Sequence, residues 1–161
     1  MDAHRRKGKT MTKLLLTLIA TTTLCLGADP FPGTWKRNVA KSQSTLGAVS
    51  EQTNIVEAIP GGYLLKFIVP GGTTLEQQYI LDDKPHTLNG KGVVTTTSGA
   101  DTRVAKRLND HAYEMKFLRQ GKVVATSRTE LPKDGKTETV TIDGVNPAGE
   151  KFHILWFDEK Q

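Results

Sequence analysis

Cysteine is almost missing from this sequence of 161 residues, and its single occurrence, Cys25, lies near the N-terminus. Residues 29–161 contain no cysteine, so they form no internal disulfide and offer no thiol nucleophile. A segment of this length without disulfides must be held together by a hydrophobic core, and the length is typical of one domain. We therefore expect residues 29–161 to fold as a single domain.

The sequence also lacks a hydrophobic run long enough for a transmembrane helix. Its longest uncharged segment, Leu14 to Ala28, is shorter than the roughly 20 residues that span a bilayer. This segment follows a basic start and ends in small residues, which is the layout of a cleavable secretory signal. Residues 1–28 are thus predicted to be a signal peptide, cleaved after Ala28 or Gly27. The mature protein is expected in the periplasm or outside the cell.

Two features of the leader leave alternatives open. Met11 begins a signal as complete as the one that begins at Met1. Cys25 would carry a lipid anchor if the chain were cut immediately before it, although the preceding Leu24 is larger than the residue usual at that position. The main expectation is release as an unanchored protein.

The mature domain has no excess of charge of either sign. Residues 1–28 hold five of the 22 Lys and Arg residues and one of the 17 acidic residues, which leaves a net charge of +1 for residues 29–161. No run of like charges remains after cleavage. Nucleic acid and anionic membrane surfaces are therefore not expected as partners. Nothing in the sequence indicates an oligomeric state.

Helical periodicity is absent too, and short alternating segments take its place from Glu51 onward. Turn-forming residues separate these segments at the spacing of about 8–12 residues that is typical of antiparallel sheets. The pattern predicts an all-β fold, an antiparallel up-and-down β-barrel of about 8–10 strands. The predicted turns are Pro60-Gly61-Gly62, Pro70-Gly71-Gly72, Asp82-Asp83-Lys84-Pro85, Asn89-Gly90, Ser98-Gly99, Asn109-Asp110, Gln120-Gly121, Lys133-Asp134-Gly135 and Asn146-Pro147-Ala148-Gly149.

The apolar residues of each predicted strand fall on one face, which we expect to point into the barrel. The opposite faces carry polar side chains, and strand parity places Arg128 among them, opposite Val123, Ala125 and Ser127. The inward set comprises Tyr63, Leu65, Phe67, Leu75, Tyr79, Tyr113, Met115, Phe117, Val140, Ile142, Phe152, Ile154 and Trp156.

In a barrel of this size the inward residues either fill the core or line a pocket for one small ligand. Aromatic residues, and above all tyrosines with their hydroxyl groups, suit a pocket wall, and methionine adapts to varied shapes. The predicted ligand-binding residues are Tyr63, Phe67, Tyr79, Tyr113, Met115, Phe117 and Trp156.

One long polar connection, Val39 to Ser50, joins the first predicted strand to the second. It is either a flap over an open end of the barrel or a solvated linker. Any helix in the mature domain is expected here.

The mature chain opens with Asp29-Pro30-Phe31-Pro32-Gly33-Thr34-Trp35-Lys36, and Ala40-Lys41-Ser42 follows shortly after. Asp134-Gly135-Lys136-Thr137 forms a hairpin signal, and the chain closes with Trp156-Phe157-Asp158-Glu159-Lys160-Gln161. These residues resemble the calycins, the superfamily of lipocalins and fatty-acid-binding proteins, and in particular short exported bacterial lipocalin-like proteins. The resemblance covers the whole mature length and implies a barrel that binds a small apolar molecule.

The resemblance also implies roles for individual residues. In lipocalins the tryptophan of the Gly-x-Trp motif closes one end of the barrel, often beneath a basic side chain from the last strand, so Gly33 and Trp35 are expected to be structural. Fatty-acid-binding proteins carry an Arg-x-Tyr clamp for a carboxylate near their C-terminus. The matching stretch here, His153-Ile154-Leu155-Trp156-Phe157, contains neither Arg nor Tyr, so the resemblance does not extend to that clamp.

No catalytic motif stands out, and the inward-facing residues display no titratable cluster. The histidines His86, His111 and His153 lie far apart in the sequence, which predicts no metal site, and His153 faces either the lumen or the outer surface. No cofactor is predicted. The leading hypothesis is a non-catalytic exported carrier of a small apolar or amphipathic ligand. The alternative is an envelope protein-interaction module whose barrel core is solid.

Overall fold

The computed structural model describes residues 28–72, 74–89 and 91–161, so the predicted signal peptide lies outside the described residues except for Ala28. The described chain forms one antiparallel sheet and one short helix. The elements are β1 (Gly33–Arg37), β2 (Gln43–Ser44), β3 (Thr53–Ile59), β4 (Gly62–Ile68), β5 (Thr74–Ile80), β6 (Asp82–Thr87), α1 (Val93–Ser98), β7 (Thr102–Asn109), β8 (Ala112–Arg119), β9 (Lys122–Glu130), β10 (Thr137–Val145) and β11 (Lys151–Lys160).

The strands follow one another around a nearly closed barrel in the order β5-β4-β3-β1-β11-β10-β9-β8-β7-β6. The first strand, β1, lies between β3 and the last strand, β11, and pairs with both in antiparallel fashion. The short β2 also pairs with β11. The predicted all-β up-and-down barrel is confirmed. Among the described residues, no helix is both long and apolar enough to span a membrane.

The barrel has a seam between β5 and β6. Only Leu81 separates these two strands, yet no backbone pairing joins them in the described residues. The stretch from Asp82 to Pro85, predicted as a turn, instead begins β6 and pairs with β7 through an irregular register. The turn prediction is wrong because the chain crosses the seam here and does not fold into a hairpin. An edge strand tolerates a proline, whose missing N–H would interrupt a central strand.

The inward faces form a continuous core from Phe31 to Ile154. One inward prediction is wrong: Val123 is 53% exposed, while its neighbour Val124 is buried. A shift of register between β8 and β9 at Phe117 explains this, because it changes which residues of β9 point inward on either side of the irregularity. Beyond it the predicted parity holds, and Arg128 is exposed.

Helix α1 lies far from the segment in which a helix was expected. It runs from Val93 to Ser98. Gly99, which follows it, adopts the left-handed conformation at φ 64° and donates its N–H to the Thr95 carbonyl at 2.9 Å. Residues 42–45 instead lie beside β11, where Gln43 and Ser44 form β2 and pair with its free edge, and Ser42 Oγ accepts the Phe157 N–H at 3.0 Å. This pairing makes the middle of the segment part of the barrel wall, so residues 42–45 do not form the predicted flap.

Candidate functional site

A cavity of about 240 Å³ lies inside the barrel. Its wall is largely apolar, and Val93, Val94 and Thr95 of α1 contribute to it, so the helix covers part of the cavity. The apolar wall residues from the strands include Leu65, Phe67, Leu75, Met115, Phe117, Val140, Ile142 and Trp156. Strands on both sides of the seam contribute wall residues, so the cavity lies in the barrel interior.

Six of the seven residues predicted to bind a ligand line this cavity: Phe67, Tyr79, Tyr113, Met115, Phe117 and Trp156. The seventh, Tyr63, lies elsewhere. It packs with Phe31, and its hydroxyl donates to Asp29 Oδ2 at 2.6 Å. Tyr63 therefore does not line the cavity, and the N-terminal segment supplies the hydrogen-bond partner that its buried hydroxyl needs.

Polar side chains form one side of the cavity, which we call the polar floor: Gln52, Asn54, Glu138 and Asp158. Glu138 and Asp158 belong to a row of three residues that crosses three adjacent strands and ends at Arg37. Glu138 on β10 lies opposite Asp158 on β11, and Asp158 lies opposite Arg37 on β1. All three side chains are at least nine-tenths buried. The expectation that the barrel interior holds no titratable cluster is therefore wrong.

The Asp158 carboxylate is fully engaged by its neighbours. Arg37 Nε donates to Oδ1 at 3.0 Å and Arg37 Nη2 donates to Oδ2 at 3.3 Å, while Asn54 Nδ2 donates to Oδ2 at 2.8 Å. Arg37 also donates to Gln52 Oε1 at 3.3 Å and stacks 3.9 Å from the centroid of the Trp156 ring. This buried ion pair thus satisfies both of its charges within the protein.

Glu138 has no comparable partner. Its carboxyl group accepts and donates no hydrogen bond among the described residues, although it is 6% exposed and lines the cavity. Burial, and then the negative charge of Asp158, raise the pKa of Glu138 to about 8. The carboxyl group is therefore mostly protonated at neutral pH, and it faces the cavity as a neutral group that can donate or accept a hydrogen bond.

The polar floor follows from the same alternation that predicted the apolar wall. Glu138 precedes the inward Val140 by two positions, Asp158 follows the inward Trp156 by two, and Arg37 follows Trp35 by two. These three residues were not predicted to face inward, because each predicted inward face ends at its last apolar residue. The period of two, continued to the ends of the strands, predicts that Glu138, Asp158 and Arg37 face inward.

A second buried cation lies at the seam, outside this cavity. Arg103 on β7 is 5% exposed, reaches across to the Gln78 carbonyl of β5, and stacks 4.1 Å from the centroid of the Tyr79 ring. Its Nη1 atom is buried and has no hydrogen-bond partner in the described chain. Arg103 borders a cleft of about 440 Å³ between β4, β5 and β6.

The histidines do not contribute to the cavity. His153 points outward, where Nδ1 lies 2.8 Å from Asp143 Oδ1, and His86 Nε2 lies 2.9 Å from Asp82 Oδ1. No group of three or more potential metal-ligating side chains occurs within the described ranges.

Comparison with protein families finds no match, and neither does comparison with curated proteins. Comparison with solved structures finds clear matches. The Echinococcus granulosus fatty-acid-binding protein 1 is 14% identical with a TM-score of 0.55, over 81% of this chain and 97% of that one. The zebrafish ileal bile acid-binding protein, complexed with cholic acid, is 8% identical with a TM-score of 0.55, over 82% and 99%. The barrel has the calycin fold.

A third calycin, the Schistosoma mansoni fatty acid binding protein in complex with arachidonic acid, matches with a TM-score of 0.54 at 9% identity, over 82% of this chain and 96% of that one. The predicted resemblance to the calycins is confirmed at the level of the fold. At these identities the likeness concerns the fold alone.

The calycin resemblance implied a tryptophan beneath a basic side chain, and the structure contains such an arrangement. Trp35 is fully buried, and its Nε1 donates to the Phe31 carbonyl at 2.9 Å. Lys160 of β11 lies over it, with Nζ 5.1 Å from the ring centroid and 2.9 Å from the Pro30 carbonyl. Gly33 has a φ of 147°, and a Cβ atom there would lie 2.7 Å from Lys160 Cε, so glycine permits this close approach.

Proposed function

We propose that this protein is an exported, non-catalytic carrier that binds one small amphipathic molecule inside its calycin barrel. The observation that carries this proposal is the cavity itself, which combines an apolar wall with the polar floor around Glu138. Such a combination suits a ligand with an apolar body and one polar group. The bile acid and the fatty acid named for two of the structural neighbours support the same general use of the fold.

The cavity volume limits the size of the ligand. At about 240 Å³, it exceeds the roughly 150 Å³ of an engineered cavity that holds benzene. It is smaller than the roughly 300–1,000 Å³ of pockets that bind drug-sized molecules. With α1 in its present position, we therefore propose a ligand of one or two rings, or a short chain.

Two observations favour a carrier over the other candidate functions. A protein-interaction module with a solid core would have side chains filling the barrel, whereas this barrel contains a cavity. Catalysis by a general acid and a general base together would need a free acidic and a free basic group, but Asp158 and Arg37 are engaged with each other. Glu138 is then left without a second group to complete a catalytic pair.

We expect a small neutral naphthalene fluorophore to bind with one-to-one stoichiometry. The Met115→Trp variant should lower its affinity at least about tenfold, because the larger side chain occupies the cavity. Fluorescence titration measures both quantities. The matched control is Lys116→Trp, which adds the same side chain to the next position of β8, where the residue is exposed.

Equal probe affinity in the wild type, Met115→Trp and Lys116→Trp would place the binding site outside the barrel. Absence of probe binding in the wild type would refute the carrier function. Circular dichroism of each variant checks that the barrel is intact.

Export is tested by expressing the full chain in a bacterial host and isolating it from the periplasm or medium. We expect its N-terminus at Asp29 or Ala28, measured by intact mass and N-terminal sequencing, because small residues precede these positions. Retention of residues 5–16 would contradict the proposed signal peptide. The mass of a lipid on Cys25 would contradict release and indicate an anchored protein.

A further inference from the structure

The carboxyl group of Glu138 is buried against the cavity without a cation to neutralise it. Arg37, which lies beside the polar floor and influences Glu138, is committed to Asp158 and Gln52. Lys160 donates to the Pro30 carbonyl and lies over Trp35. Both cations that influence Glu138 are therefore already engaged with other groups, and Glu138 is left as an unpaired acidic group.

The titratable groups that influence Glu138 come from four strands. They are Asp158 and Lys160 on β11, Arg37 on β1, Tyr79 on β5 and Tyr113 on β8. Burial raises the pKa of Tyr79 to about 12, and that of Tyr113 also lies well above its ordinary value, so both tyrosines are neutral near pH 7. The tyrosines therefore add no charge. The carboxyl groups of Glu138 and Asp158 share one guanidinium, that of Arg37, and it already pairs with Asp158.

We propose that the cavity selects a small amphipathic amine, whose ammonium group pairs with the Glu138 carboxylate while its apolar body contacts Met115, Phe117 and Trp156. This inference rests on the proposed carrier function and names the chemical class of its ligand. A cationic ligand would give the Glu138 carboxylate the positively charged partner that it lacks within the protein. An anionic ligand would instead bring a second negative charge next to Asp158 and would oppose ionisation of Glu138, and Arg37 is already paired and cannot receive it.

The protonation state of Glu138 makes this inference measurable. Because Glu138 binds a proton up to a pKa of about 8, an ammonium ion must displace that proton to form an ion pair. The affinity for an amine should therefore rise with pH below 8, and each bound amine should release close to one proton. A ligand held only by its apolar body would show neither effect.

The experiment uses three ligands of one chain length: hexylamine, hexanol and hexanoate. Each displaces the naphthalene fluorophore from the wild-type protein at pH 7, where an alkylammonium with a pKa near that of lysine, about 10.4, is charged. We expect hexylamine to bind at least about tenfold more tightly than hexanol, as a charge-assisted hydrogen bond implies, and hexanoate to bind more weakly than hexanol.

A pH series and one variant then separate pairing with Glu138 from general binding. The hexylamine affinity should rise by up to about tenfold per unit between pH 6 and 8. Glu138→Gln should abolish this rise and weaken hexylamine binding at pH 8 at least about tenfold, and should weaken hexanol binding much less, because glutamine still offers a hydrogen bond but no charge. Glu130→Gln, at an exposed position of β9, is the control and should behave as the wild type.

Hexanoate or hexanol binding as tightly as hexylamine would overturn this inference, and fluorophore binding would show that the carrier function survives. A hexylamine affinity that is independent of pH, or unchanged in Glu138→Gln, would overturn it in the same way. Failure of the fluorophore and of all three ligands to bind would refute the carrier function together with the inference.

Discussion

Replacing Trp35 with alanine is expected to destabilise the protein by about 3–5 kcal/mol, the usual cost of removing a large aromatic side chain from a core. Trp35 is fully buried, and the substitution removes its hydrogen bond to the Phe31 carbonyl together with the ring beneath Lys160. The free energy of unfolding, measured by urea titration at constant pH, gives the value directly.

The control for Trp35 is Val123→Ala, at a position that is 53% exposed. This variant should change the free energy of unfolding by no more than about 0.5 kcal/mol. A Trp35→Ala loss below about 1 kcal/mol would mean that Trp35 does not close the barrel end.

The Glu138→Gln substitution is expected to make the protein more stable, by an amount that grows with pH. In the unfolded chain the Glu138 carboxyl loses its proton near its ordinary pKa of 4.5, whereas the folded protein retains that proton up to about pH 8. The unfolded state thus binds fewer protons in this window, and the wild-type protein loses up to about 1.4 kcal/mol per pH unit as the pH rises from 4.5 to 8. Glutamine does not titrate, so the variant avoids this loss.

Urea unfolding of both proteins at pH 5, 7 and 9 measures the difference. The two free energies of unfolding should differ little at pH 5, and the variant should exceed the wild type by roughly 3–5 kcal/mol at pH 9. Other titrating groups contribute similarly to both proteins and largely cancel. Parallel pH profiles would show that Glu138 is ionised at neutral pH in the folded protein and would contradict its raised pKa.

The fold was largely predictable from the sequence because its determinants are local. Alternation such as Tyr63, Leu65 and Phe67 requires one buried face, and glycine and asparagine turns at short intervals require antiparallel neighbours. The errors occur where the chain departs from a simple hairpin. Residues 82–85 have the composition of a turn but cross the seam as an edge strand, and residues 93–98 form a helix too short to show periodicity.

The candidate site was predictable only in part. Parity placed Phe67, Met115 and Phe117 on the inner faces, and all three line the cavity. Parity was also wrong at Val123, because a register shift depends on the partner strand as well as on the strand itself. Tyr63 shares the inward face but is covered by the N-terminal segment, which lies next to it only in the folded barrel.

The sequence by itself determined an antiparallel β-barrel with its apolar faces inward, because strand alternation and turn chemistry act between residues close together in the chain. Only the tertiary structure decided that the barrel retains a cavity and that its floor is acidic. Asp158 and Arg37 are 121 positions apart, and their pairing leaves Glu138 without a partner. Whether a buried charge is neutralised depends on which strands become neighbours when the barrel closes, and local sequence does not encode that relationship.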